Sequence, residues 1–258
     1  MSHHPSATPT AADQIAYLDT AAATAVGRDY KRRALDALDL RPGHTVVDVG
    51  CGPGTDLGRL ADAVQAGGRV VGVDSDARML AEAGRRLTDR PTIGLRAGDA
   101  HALPLDDTSM DRARIDRVLM HVADPAMVLR EVRRVLRPGG VLALTEPDWD
   151  TLAVADEDVR TSRGFARFVA GRVRNATVGR ELVRLSARAG LRVRSVEAIA
   201  VVFRDFDTAD RILGLRRNSA RAVAAGALAD ADVQPWLRRL TNGPLLAGFT
   251  LYLVTAEA

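Results

Sequence analysis

Between residues 46 and 55 the chain reads Val46-Val47-Asp48-Val49-Gly50-Cys51-Gly52-Pro53-Gly54-Thr55, an apolar β-type run that empties into three glycines at alternate positions. Glycine does two things in such a turn. It lets the backbone take dihedrals closed to other residues, and it lets a ligand lie against the main chain, facing the unpaired amides of the helix that follows. The run therefore reads as a nucleotide-cofactor loop. A dinucleotide fingerprint would be G-x-G-x-x-G; here the third glycine comes one position early and Thr55 fills the slot. A second apolar run, Arg69 to Val73, ends at Asp74, whose carboxylate could hold a ribose diol through both oxygens. A third, Thr92 to Leu95, leads into Ala97-Gly98-Asp99-Ala100, and the segment Arg134-Val135-Leu136-Arg137-Pro138-Gly139-Gly140 precedes another run from Val141 to Thr145.

These four blocks, in this order and spacing, resemble the class I S-adenosylmethionine-dependent methyltransferases over residues 30 to 148. The stretch Leu119-Met120-His121-Val122-Ala123-Asp124-Pro125, followed by an amphipathic helix and the Arg-Pro-Gly-Gly turn, narrows the likeness to the small-molecule enzymes of secondary metabolism and quinone biosynthesis. The resemblance implies S-adenosylmethionine as cofactor and S-adenosylhomocysteine as product. It implies that Asp48, Gly50 and Gly52 surround the methionyl part, that Asp74 takes the ribose hydroxyls, and that Asp99 with Ala100 borders the adenine. Gly54 and Ser75 complete that cofactor set. Met79 matches a position near the adenine ring, although a helix-core methionine would read the same. Asp116 could approach the cofactor's amino group or pair with a neighbouring arginine.

Methyl transfer from a sulfonium requires the acceptor in line with the methyl group, and a hydroxyl acceptor must also lose a proton. His121, expected just beyond the fourth strand, has an ordinary pKa near ~6.5 and is the general-base candidate. Asp148, after Glu146-Pro147, is the second candidate, as base or as the group that orients the histidine. The elements that must position these residues alternate strand and helix. Strands are expected near 45 to 50, 69 to 74, 92 to 95, 111 to 117 and 141 to 146. A helix follows from Gly179 to Ala189, a strand from Leu191 to Phe203, a helix from Thr208 to Ala225, and a strand from Leu245 to Thr255. The fold class is α/β: a Rossmann-like, seven-stranded, mainly parallel sheet with an antiparallel last strand, helices on both faces and an N-terminal helical lid. The cofactor blocks then fall at the carboxyl ends of the strands. Arg112, Arg114 and Asp116 on the fourth strand suggest an end open to ligand or solvent.

A chain of 258 residues with 47% hydrophobic side chains can bury one core and an appended cap. Residues 1 to 12 read as a disordered lead-in, and 13 to 258 as one domain whose segments 150 to 178 and 204 to 240 cap the acceptor. There is no apolar stretch of ~20 residues and no charged-then-apolar leader, so a cytoplasmic location is expected. Cys51 is the only cysteine, which excludes an intrachain disulfide and a thiolate cluster. No metal site is expected, since His3 and His4 are too few.

No Phe, Trp or Tyr occurs between Tyr30 and Trp149, so aliphatic side chains pack the cofactor half. Tyr17, Trp149, Phe165 and Phe168 become the candidates for an acceptor pocket. Lys31 is the sole lysine, and the arginines at 160, 163, 167, 172, 174, 180, 184, 188, 192 and 194 share their segment with one acid, Glu181. Such a stripe could steer an acidic partner such as a carrier protein. Nucleic acid is disfavoured because aromatics do not interleave with it. A homodimer could use the C-terminal apolar strand and helices. The alternatives to small-molecule methyl transfer are a non-methylating reaction on the same fold (decarboxylation, hydroxylation or cyclisation), methylation of a macromolecule, a nicotinamide oxidoreductase and a noncatalytic binding module.

Overall fold

The computed structural model describes residues 10–258. Seven strands form one sheet: β1 (Thr45–Val49), β2 (Arg69–Asp74), β3 (Ile93–Ala97), β4 (Met110–Asp116), β5 (Leu136–Val154), β6 (Arg192–Phe203) and β7 (Ala247–Glu257). Their order across the sheet is β3-β2-β1-β4-β5-β7-β6. β1 pairs in parallel with β2 and β4, β2 with β3, and β4 with β5, while β7 lies antiparallel between β5 and β6. This is the mainly parallel sheet with an antiparallel last strand that the sequence leads one to expect. Central strands covered on both faces need near-continuous apolar runs, and Val46, Val47, Val49, Val70, Val71 and Val73 supply them, all buried.

The helices are α1 (Ala11–Ala23), α2 (Ala25–Ala37), α3 (Leu57–Val64), α4 (Ala77–Arg86), α5 (Pro125–Val135), α6 (Val159–Ala170), α7 (Val178–Arg188), α8 (Phe206–Leu213), α9 (Leu215–Ala224) and α10 (Asp230–Asn242). Their starts follow from capping chemistry. Thr10 and Asp13 form a reciprocal capping box at α1, Asp76 caps α4, and Asp124 caps α5 with Pro125 at its first turn. Of the lead-in expected over residues 1–12, Thr10 is a helix cap and Ala11 and Ala12 are helical; residues 1–9, with His3 and His4, lie outside the described residues.

Two further expectations fail. β5 does not end at 146 but continues to Val154, because β7 pairs with it as far as Ala153 and Val154. The single helix expected over 208 to 225 is two helices, broken where Gly214 takes a left-handed backbone (φ 64) and closes α8.

The charged residues of β4 divide. Asp116 at its end lines a cleft, as an end open to ligand would, whereas Arg114 within the strand is 3% exposed and directly opposite Asp48 of β1 in the sheet register. Its Nη1 donates to Asp48 at 2.9 Å, and its Nη2 donates to Asp56 and to Asp116, each at 2.7 Å. Lys31, carried by α2 and itself buried, donates to Asp116 at 2.9 Å and ion-pairs with Asp56. Arg117 lies 3.7 Å from the other oxygen of Asp116. Three cations and three carboxylates thus balance in the interior. Removing one member strands its partners, which is far costlier than the pair's net contribution. Lys31→Met is expected to lower the unfolding free energy by about 3–5 kcal/mol, read as a shift of the urea midpoint at constant slope; an unchanged midpoint would show that the fold does not depend on this cluster.

Candidate active site

The carboxyl ends of β1, β2, β3 and β4 open into a cleft of ≈ 730 Å³. Gly50 and Gly52 form its floor, Asp74, Ser75 and Met79 one wall, and Asp99, Ala100 and His101 the end of that wall. Gln14, Tyr17 and Leu18 of α1 close the side above the glycines, and Asp116, Arg117, Val118 and His121 continue from β4.

The glycine loop is fixed from both sides. Gly50 has φ 69, and a Cβ there would stand 2.4 Å from Val118 Cγ2, so a side chain would be strained and would also collide with the neighbouring loop. Asp74 anchors the turn: Oδ2 accepts from the Gly52 amide at 2.8 Å and Oδ1 from the Asp76 amide at 2.9 Å. Each oxygen keeps a lone pair directed outward, the disposition a vicinal diol needs. His101 ties the far wall together. Its Nδ1 is 2.6 Å from Asp99 Oδ1 while its Nε2 accepts from the Asp124 amide at 3.1 Å, which assigns the proton to Nδ1.

His121 sits on a loop held from below and above. Glu146 at the end of the parallel part of β5 accepts from the amides of Val118 (2.7 Å), Leu119 (2.6 Å) and Met120 (3.3 Å). Asn175 donates to the Leu119 carbonyl at 2.7 Å and the Val122 carbonyl at 2.8 Å. The His121 side chain emerges at the rim, where the surrounding protein and the Arg117 charge lower its pKa below the ordinary histidine value. At neutral pH the imidazole is uncharged and can accept a proton. Burial raises the Glu146 carboxyl to about 8 against the pull of its amide donors. Asp116 is held well below the usual carboxylate range: burial opposes this, but Lys31, Arg114 and Arg117 together prevail.

Of the residues singled out from sequence, Tyr17, Gly50, Gly52, Asp74, Ser75, Met79, Asp99, Ala100, Asp116 and His121 meet in this cleft. The others lie elsewhere. Asp48 is 1% exposed and spent on Arg114. Gly54 serves the turn, where a Cβ would press on Ala83 and Leu87 of α4 and its neighbouring turn. Asp148 is fully buried and ion-paired with Arg180, because β5 runs on past it and pairs it with Thr250. The same extension draws Trp149 into the sheet face, stacked on Phe249 with ring centroids 4.8 Å apart. Phe165 is core, tilted against Trp236 at 5.3 Å, and Phe168 lies half-buried under Arg172. The arginine stripe is also interrupted, since Arg180 pairs with Asp148 and Asp150, and Arg192 and Arg194 with Glu257, acids from distant segments. Sequence reasoning missed Glu146, Asn175, Arg117 and Arg217. Glu146 follows a strand as Asp74 does, and that position was a usable signal; Asn175 and Arg217 carry none.

Among the described residues, no group of three or more His, Cys, Asp or Glu could hold a metal ion, and no helix is long and apolar enough to cross a membrane.

Comparison with known proteins is in keeping with this geometry. Residues 47–144 match the family model described as a methyltransferase domain. The chain is 52% identical, over 95% of its own length and 72% of the other, to an uncharacterized 37.1 kDa protein in transposon TN4556 of Streptomyces fradiae. It is 42% identical to a demethylmenaquinone methyltransferase of Beutenbergia cavernae over 47% of this chain, and that match spans 50% of the relative's length. The fold is that of an S-adenosylmethionine-dependent methyltransferase from Mesorhizobium loti, with a TM-score of 0.55 at 23% identity, covering 88% of this chain and 96% of the other. The chain thus carries a methyltransferase domain over residues 47–144, in the fold of the S-adenosylmethionine-dependent methyltransferases. The cleft fits that cofactor on its own terms: it has a glycine turn whose positive φ angles and close approach to Val118 exclude a side chain at Gly50, and a strand-end carboxylate, Asp74, in its lining.

Gly50→Ala is expected to weaken S-adenosylhomocysteine binding by about tenfold or more, measured by titration calorimetry; wild-type affinity would remove the glycine floor from the site. Glu146 gives a pH signature. Its carboxyl titrates near ~4.3 when unfolded and at about 8 when folded. The native state therefore holds the extra proton across that window, and stability falls as pH rises through it. Glu146→Gln, whose Oε1 can still accept from the Val118 and Leu119 amides although its NH2 cannot accept from Met120, is expected to flatten that decline in urea midpoints, and a slope matching the wild type would contradict the assignment.

Proposed function

We propose that this chain methylates a small molecule at the outer end of the cleft, with His121 accepting the acceptor's proton. The observation that carries this reading is one cleft whose lining joins Asp74, Ser75, Met79, Asp99 and Ala100, at and beyond the ends of β2 and β3, with Tyr17 of α1 and His121 beyond β4, around the Gly50 and Gly52 turn. S-adenosylmethionine supplies an electrophilic methyl group when bound. In this reading Asp74 holds the ribose diol, Met79 and Ala100 flank the adenine, and the glycines let the methionyl part lie on the main chain. Asp116 faces its amino group. Tyr17 and Leu18 on α1 cover the reacting region and limit water there. The likeness to demethylmenaquinone methyltransferases, enzymes named for a small quinone-type acceptor, supports a biosynthetic small-molecule substrate.

His121 suits the proton transfer because its lowered pKa leaves the imidazole free at neutral pH, and the loop beneath it is pinned by Glu146 and Asn175. Holding the base and the acceptor in register is where much of the rate would come from, since a bimolecular encounter becomes a positioned one.

The direct test is to incubate the protein with methyl-labelled S-adenosylmethionine and an extract of the source organism, then divide the label by size. Label in small compounds supports the reading; label confined to protein or RNA overturns it. With the acceptor in hand, His121→Asn is expected to lower kcat by about 10²–10⁴-fold. The acid limb of the wild-type kcat/KM profile should fall below pH ~6.5, and Arg117→Met should move it upward. A His121→Asn profile that keeps that limb would assign the proton to another group.

A further inference from the structure

Each acid of the cleft accepts at least one hydrogen bond, whereas its two arginines find no acceptor among the described residues. Asp13 is engaged by Thr10, Asp74 by the amides of Gly52 and Asp76, Asp99 by His101, and Asp116 by Lys31 and Arg114. Arg117 is different. Among the described residues its guanidinium makes no hydrogen bond, its Nε is buried without a partner, and its nearest carboxylate oxygen is 3.7 Å away on an aspartate already held by two other cations. Its backbone also takes the left-handed region (φ 57), which a non-glycine residue adopts only where its surroundings enforce it.

Arg217 reaches the same cleft from α9, on the far side of the helix break at Gly214. It has no carboxylate partner among the described residues, and its charge, with that of Arg172 from the α6–α7 connection, acts on Arg221 one turn later. Two guanidiniums from separate elements thus converge on one cleft with their forked donors unspent, the arrangement that recognises a carboxylate or phosphate.

We propose that the acceptor carries an anionic group of the carboxylate or phosphate class, and that Arg117 and Arg217 bind it at the outer end of the cleft. This rests on the methyltransferase reading above and narrows its substrate class. The cofactor also has a carboxylate, so the test must separate the two sources.

S-adenosylhomocysteine affinity is measured first, on the wild type and on Arg217→Glu, whose position is exposed. Inorganic pyrophosphate, benzoate and the uncharged benzamide are then titrated into the S-adenosylhomocysteine-saturated proteins. Pyrophosphate or benzoate is expected to bind and benzamide not to, with affinity falling as salt rises. Arg217→Glu should weaken the anion by about tenfold or more while S-adenosylhomocysteine affinity stays within about twofold, and Arg217→Lys should restore part of the loss. No anion binding to the wild type, or equal binding to Arg217→Glu, would overturn the proposal. If Arg217→Glu weakens S-adenosylhomocysteine by the same factor, the arginine serves the cofactor's carboxylate and the acceptor assignment falls. Failure of the wild type to bind S-adenosylhomocysteine is read before any anion is added, and would overturn the parent reading and this one with it.

Discussion

An arginine in the middle of a parallel sheet must find its counter-charges there, because water cannot supply them. Arg114 meets this constraint by standing opposite Asp48 across the β1–β4 pairing and by reaching two further carboxylates, Asp56 before α3 and Asp116 at the end of β4. Those three acids carry more charge than one guanidinium can neutralise, and the chain's sole lysine from α2 together with Arg117 beside Asp116 completes the balance. The consequence is geometric. The loop after β1, the start of α3, the end of β4 and the second helix are all referred to a single buried point, and the floor of the cleft is built directly on it. Such clusters seldom stabilise a fold more than apolar packing would, but they tolerate little displacement. That intolerance suits a site in which ligand and base must be held in register.

A second layer of polar positioning lies above the first. Glu146 reaches from β5 under the loop of His121, and Asn175 reaches over it from the α6–α7 connection. The same device recurs in the two halves of the cleft: a carboxylate at a strand end gathers the backbone amides of a loop. Asp74 does so for the glycine turn, and Glu146 for the histidine turn. Because side chains alternate along a strand, each carboxylate depends on the pairing register, and a slip by one residue would turn it to the opposite face of the sheet.

Much of this was legible in the sequence, and the reasons are local. The glycine loop, Asp74, the Asp99 block and His121 sit at the ends of strands whose apolar runs and turn residues mark them, so strand ends could be read and the cleft inferred from them. What failed was what depends on distant partners. β5 looks finished at Glu146 because Pro147 and Asp148 follow, but β7 extends it, and with that Asp148 and Trp149 move from the expected pocket into the sheet. Asp48 could not be told from a ligand-facing residue without knowing that Arg114 faces it. The helix break at Gly214 was readable as a glycine inside a helical pattern, but its effect on Arg217 was not, since that depends on where α9 comes to rest.

The sheet order has a consequence for how the molecule is made. β6 pairs with β7, and β7 in turn pairs with β5. During synthesis β6 therefore emerges before the strand that joins it to the rest of the sheet, and its hydrogen-bonding edge has no partner until Ala247–Glu257 has been added. Loss of that short segment would remove two strands from the sheet rather than one. It would also leave an apolar edge on β5 free to pair with another chain.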